Sequence, residues 1–227
     1  MRFMLASARL ATLTVLAAAL VLTQGGAALS PAAGAAPGAV ADGVAPPTDP
    51  VTLSVLSVNG SGCPAGTAKV TMLSDNTGFR IVYSNFVAQT GGTALATDFR
   101  KNCQVSVAVH VPQGFTFAIA RADYRGKARL ASGVTGLQRT NYYFQGDSDN
   151  NYTDHAFTGP LNATWHTTDI TDASALVFQP CGVTLGLNIN TELRVDSGSS
   201  SAVNVLTMSA SDGSVDTIAQ FQWMQCP

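Results

Sequence analysis

The chain is poor in the residues that perform chemistry. Of its 227 residues only 11% are charged, Glu192 is its sole glutamate, and its three histidines, His110, His155 and His166, are scattered. No GxSxG nucleophile elbow is present, since Ser61 lies in Asn-Gly-Ser-Gly-Cys with Asn59 at the first glycine position. A Ser, His, Asp triad can be drawn only on paper, as in any chain rich in Ser and Asp. No CxxC or HxxxH spacing accompanies the cysteines, which argues against a zinc site. There is also no basic excess. Loss of Arg2 and Arg9 with a leader leaves 10 of the 12 basic residues against 14 acidic ones, a net charge near −4. Nucleic acid, which is bound by releasing counterions to clustered cations, is therefore a poor partner.

The apolar, uncharged run Leu10 to Leu22 is too short for a membrane span of roughly 20 residues. With Arg2 and Arg9 before it and small residues after it, it reads as the core of a signal peptide over residues 1–30. No cysteine follows closely enough for a lipid anchor, so a freely released, extracellular protein without membrane insertion is expected. Residues 31–50 hold Pro31, Pro37, Pro46, Pro47 and Pro50 and no aromatic residue. Such a segment buries too little apolar surface to offset its ordering entropy, so it is expected to be a flexible Ala/Pro/Gly-rich arm. It is either a spacer or a strand that orders on a partner.

From Val51 the hydrophobic period becomes two. Cys103, Val105, Val107, Val109 and Val111 alternate with polar residues, as do Leu185, Leu187, Ile189, Thr191, Leu193 and Val195. Each run predicts an antiparallel strand with one face to the core and one to water. Turn signals fall at Pro112 to Gly114, Arg125-Gly126 and Asp212-Gly213, and Ala94 to Lys101 has room for one helical turn. Ten or so short strands with no long amphipathic helix predict an all-β fold. The expected architecture is an antiparallel, jelly-roll-like β-sandwich forming one domain over 51–227.

Four cysteines allow three pairings, and sequence alone does not choose among them. Cys63 with Cys103 and Cys181 with Cys226 is the favoured pattern, because each pair ties sequence-local strands. In the chain-entropy model each bridge would contribute roughly 4 kcal/mol.

The densest polar stretch, Gly146 to His155, opens Asp-x-Asp-x-Asn like a calcium loop. It lacks that loop's turn glycine, replaced by Tyr152, and its closing glutamate, replaced by Thr158, so an exposed loop tip is the simpler reading and no metal or cofactor is expected. Tyr143, Asp147, Asp149, Tyr152 and Trp165 form the candidate binding surface, an aromatic and amide-rich patch suited to a glycan or protein. Core packing is the competing role for the rings. Arg121, Arg125, Lys127, Arg129 and Arg139 are five of the ten basic residues left after cleavage, and Arg121, Arg125 and Arg129 are either a modest positive face for an acidic glycan or partner or a solvated hairpin edge. Glu192 is expected to be solvated.

Eight motifs in order carry a family resemblance. They are Asn-Gly-Ser-Gly-Cys-Pro-Ala-Gly (59–66), Phe-Arg-Lys-Asn-Cys-Gln (99–104), Val-Pro-Gln-Gly-Phe-Thr-Phe (111–117), Asp-Tyr-Arg-Gly (123–126), Tyr-Tyr-Phe-Gln-Gly (142–146), Pro-Cys-Gly (180–182), Leu-Asn-Ile-Asn-Thr (187–191) and Trp-Met-Gln-Cys (223–226). The sequence from about 55 to 227 resembles a secreted family of actinobacteria and fungi known as domain of unknown function 4360. That resemblance implies export and a four-cysteine framework and supplies no catalytic residue. A secreted, non-catalytic binding or structural module with an extracellular protein or glycan partner is the leading expectation. The alternatives are a polysaccharide hydrolase using Asp147 with Asp149 or Asp154, and a protease inhibitor or adaptor docking through the arm.

Overall fold

A computed structural model describes residues 43–147, 152–208 and 216–227. The expected signal peptide, residues 31–42 of the arm, Asp149 and the Asp212-Gly213 turn lie outside the described residues. Of the arm, residues 43–50 are described. Pro47 is buried, and the carbonyls of Pro47 and Asp49 accept hydrogen bonds from Asn76 Nδ2 at 2.9 and 3.1 Å.

The strands are β1 (Thr52–Asn59), β2 (Ala68–Met72), β3 (Gly78–Tyr83), β4 (Val87–Thr90), β5 (Arg100–His110), β6 (Phe115–Leu130), β7 (Thr135–Phe144), β8 (Thr153–Thr158), β9 (Leu161–Ile170), β10 (Gly186–Asp196), β11 (Asn204–Thr207) and β12 (Thr217–Gln225). They form two antiparallel sheets. The five-stranded sheet runs β1-β5-β10-β7-β8. The seven-stranded sheet runs β2-β3-β12-β6-β11-β4, with β9 on the other side of β6. The only helical element among the described residues is a 3-10 turn at Ala173–Ala175. Residues 96–99 form turns and no helix, and the Asp98 side chain accepts a hydrogen bond from the Leu95 N–H.

Alternation decides which side chains enter the sandwich. Val105, Val107 and Val109 of β5 and Leu187, Ile189 and Leu193 of β10 are buried against Phe117, Tyr124 and Phe79 of the opposite sheet. Phe117 joins the layers, its ring centroid 5.5 Å from Phe144 of β7 and 4.5 Å from Phe221 of β12. Edge-to-face and tilted ring pairs of this kind add to the area that burial removes from water.

The Arg125-Gly126 turn expected from sequence does not exist. β6 runs through it, and Gly126 pairs with Trp165 of β9. A Cβ at Gly126 would lie 2.1 Å from Trp165 Cζ2 and 2.3 Å from the Thr207 carbonyl, so the glycine makes room for the indole and does not end a strand.

Both disulfides pair as favoured, Cys63 with Cys103 and Cys181 with Cys226, with Cα separations of 5.3 and 5.9 Å. The Asn-Gly-Ser-Gly-Cys motif is the clasp around the first. Gly62 N donates to the Asn102 carbonyl at 2.8 Å, and Ser61 Oγ donates to Asn102 Oδ1 at 3.0 Å. Gly60 has φ 132°, and a Cβ there would lie 2.2 Å from that same carbonyl. The second bridge holds the segment before β10 to the end of β12. That segment is also anchored by buried Gln179, whose backbone N–H donates to the Phe117 carbonyl and whose own carbonyl accepts from Thr116 Oγ1.

Candidate functional site

At the end of the sandwich where β7 and β9 run out, a cavity of about 260 Å³ opens between the sheets. Ile119, Phe144 and Leu187 form its apolar floor, and Tyr142, Tyr143, Asp147, Thr153, Thr171 and Asp172 bring rings, hydroxyls and carboxylates to its walls. Adjacent strand residues point to opposite faces, which places Tyr142 with Phe144 on the inner side and Tyr143 on the outer. The Tyr142 hydroxyl lies 3.3 Å from Thr171 Oγ1, and burial pushes its phenol above the ordinary range. Ile170 and Val177 stand exposed beside the opening.

Behind this cavity lies a buried carboxylate. Asp169 of β9 accepts from Thr140 Oγ1 of β7 at 2.6 Å through Oδ2, and its Oδ1 lies 2.6 Å from His155 Nε2 of β8. Both oxygens are thus occupied by the protein, which is how a carboxylate tolerates removal from water. Tyr124 stands close by, its phenol pushed well above the ordinary range by burial first and by the Asp169 charge second. The group fastens the edge strands of the two sheets to each other.

The structure divides the residues of the expected binding surface. Tyr143 and Asp147 meet at the cavity. Tyr152 is exposed, with the Arg139 guanidinium 5.4 Å from its ring centroid. Trp165 does not lie on this surface. It is only 6% exposed, packs 5.1 Å from the Phe157 ring and covers Gly126, because its strand position faces inward. Sequence reasoning missed Tyr142 as a cavity wall, Thr171 and Asp172. The last two read as ordinary loop residues until the register brings the end of β9 beside the end of β7.

The carboxylates expected for hydrolysis are placed differently. Asp154 is held by Arg139 through two hydrogen bonds of 2.6 Å, and that guanidinium keeps its carboxyl below the usual range. A general acid needs the opposite shift. Glu192 is not solvated. It is buried on the outer face of β10 between Arg100 and Arg194, with Arg139 opposite it across the ladder. Sequence shows Arg194 two residues along the strand, but not that Arg100 arrives beside it from β5. Of the expected positive face, Arg121 is tied to Asp123, which also accepts from Thr168 and contacts His166. Among the described residues no three His, Cys, Asp or Glu side chains are grouped to hold a metal ion, and no helix is long and apolar enough to cross a membrane.

The chain belongs to the family described as Domain of unknown function (DUF4360), whose model matches residues 49–226. It is 34% identical over 184 residues to an uncharacterized secreted protein of Arthroderma benhamiae, covering 81% of this chain and 75% of that one. Like that relative, it is a secreted protein. Two solved structures give weak likenesses. One is TmCBM61 in complex with beta-1,4-galactotriose, at 11% identity, 78% of this chain, 89% of that chain and a TM-score of 0.27. The other is the enzymatically active domain of bacteriophage CBA120 tailspike protein 4, at 14% identity, 78% of this chain, 19% of that chain and a TM-score of 0.24. At such TM-scores neither bears on this chain's fold or ligand.

Proposed function

We propose that this secreted member of the DUF4360 family is a non-catalytic binding module, and that the end cavity beside Tyr143 and Asp147 takes a carbohydrate group. The observation that carries the reading is the composition of the cavity. An apolar floor and tyrosine rings suit the C–H faces of a sugar, while Thr153, Thr171, Asp147 and Asp172 suit its hydroxyls. The volume of about 260 Å³ fits a ring or two and not a long peptide. Disulfide pairing consumes all four cysteines, leaving no thiol nucleophile.

The reading is tested by binding of the purified secreted protein to a glycan array, followed by titration of any hit against the Tyr143→Ala and Asp172→Asn variants. Both variants should weaken binding about tenfold or more while unfolding at nearly the wild-type temperature. Unchanged affinity in both variants, or turnover of a polysaccharide by the purified protein, would overturn it.

A further inference from the structure

The outer face of the five-stranded sheet carries a ladder of side-chain amides in register. Asn59 of β1 lies opposite Gln104 of β5, Gln104 opposite Asn190 of β10, and Asn190 opposite Asn141 of β7. The next row on the same face is Ser57, Ser106, Asn188 and Tyr143. With strands about 4.8 Å apart, each row of four spans about 14 Å. Asparagine fits poorly in mid-strand positions, so Asn141, Asn188 and Asn190, clustered on the neighbouring strands β7 and β10, run against local preference. Local rules broken without a structural gain point to function.

No structural gain is visible. Among the described residues the side chains of Asn59, Gln104, Asn188 and Asn190 make no hydrogen bond within the protein. Asn141 is 1% exposed, and neither its Nδ2 nor its Oδ1 has a partner. Each amide offers both donors and an acceptor; the part-exposed ones present these to solvent or a ligand, and the buried Asn141 is the one that bears the cost of leaving them unpaired.

We infer that this amide face binds a linear, neutral polysaccharide, whose hydroxyls both donate and accept, as an extension of the end cavity. The inference rests on the carbohydrate reading of that cavity, with which the face is continuous through Tyr143. Neutrality follows from charge. Neither row contains a carboxylate, an amine, a guanidinium or an imidazole. The charged groups in the rows beyond, Arg100, Glu192, Arg194, Arg139 and Asp154, are engaged with one another in ion pairs, three guanidiniums sharing two carboxylates. A polyanion finds no cation in these two rows. A protein partner would need a broader apolar centre than Leu56, 55% exposed beside Gly186, and Tyr143 provide.

The test is affinity electrophoresis of the intact protein in gels containing soluble xylan, mannan, galactan or β-glucan, with polygalacturonate as the anionic arm. Binding of the matching trisaccharide is followed by calorimetry. The double variant Asn188→Ala/Asn190→Ala and the single variant Gln104→Ala should cut retention by a neutral polymer about tenfold and threefold. Trisaccharide affinity at the cavity should change less than twofold, whereas Asp172→Asn should lower both. Retention of both face variants at the wild-type level, with Asp172→Asn impaired, would overturn this inference and leave the cavity reading standing. Retention by polygalacturonate alone would overturn the neutral ligand, and no retention by any polymer together with no trisaccharide binding would overturn both. Melting of each variant separates lost contacts from lost folding, and Gln104→Ala, on a different strand, decides the matter should the double variant not fold.

Discussion

Thr140 of β7 donates its hydroxyl proton to Asp169 of β9 at 2.6 Å, and this bond crosses from one sheet of the sandwich to the other. Both residues are buried, 1% and 3% exposed, so water cannot replace the bond when it is lost. Thr140→Val keeps the shape and leaves a buried carboxylate oxygen short of its donor, at about 1–3 kcal/mol of stability. Urea unfolding measures the loss, and Thr140→Ser should recover most of it. A Val variant as stable as wild type would show that the bond contributes nothing net.

Gly126 and Trp165 should respond as a packing unit. Gly126→Ala sets a methyl against an indole and a carbonyl, neither of which is a flexible side-chain tip, and overpacking of this kind costs about 1–3 kcal/mol. Trp165→Ala should cost about 3–5 kcal/mol as a buried aromatic truncation, whereas Tyr152→Ala, at an exposed ring, should stay within about 0.5 kcal/mol. Chemical denaturation of the three variants ranks them. A tolerated Trp165→Ala would return that residue to the surface.

Stability should fall on both sides of neutrality. Burial pushes the Tyr83 phenol up to about 12 from 10.0, so the native state holds its proton more tightly than the unfolded chain does. That contribution is complete below pH 10 and is lost as pH rises from 10 towards 12. The unfolding midpoint should therefore drop over this window, and Tyr83→Phe should drop less steeply. At Asp123, burial alone would raise the carboxyl, but hydrogen bonds from Arg121 and Thr168 outweigh it and the net direction is down from 3.8. Its contribution is present above pH 3.8 and is lost as pH falls through the native value, so Asp123→Asn should flatten the acid limb. Urea midpoints across the pH range, compared between variants, check both limbs.

Each disulfide should matter separately. The Cys63–Cys103 bridge closes a separation of 40 residues and Cys181–Cys226 one of 45, for which the chain-entropy model gives about 4 kcal/mol apiece. Paired Cys→Ser variants should each lower the melting temperature by many degrees. Non-reducing peptide mapping should recover only these two linked peptides. A Cys63–Cys181 or Cys63–Cys226 peptide would show the pairing to be wrong.

The alternation of Val105, Val107 and Val109, and of Leu187, Ile189 and Leu193, was enough to read antiparallel strands with one buried face. The side-chain period of a strand is a local property of the backbone. The same alternation put Tyr142 with Phe144 and Tyr143 on the opposite side, as the structure has it. Gly126 was misread because a glycine that turns the chain and a glycine that admits a neighbour look the same in one dimension. Glu192 was misread because Arg100 arrives from another strand, and Arg194, two residues along, does not by itself show that the carboxylate is buried.

What the sequence by itself determined is therefore whatever follows from neighbours along the chain: the strands, the turn at Pro112 to Gly114, and an even set of cysteines. Which residues share a site was decided only when the strands took their register. A register brings together residues far apart in the chain, Asn59 with Gln104 and Thr140 with Asp169, and one step of slippage would send each to the opposite face. The end cavity, the buried Asp169 and the amide row all depend on that choice. It is made by burying the inner faces of two sheets at once, a condition that no single segment of the chain can satisfy alone.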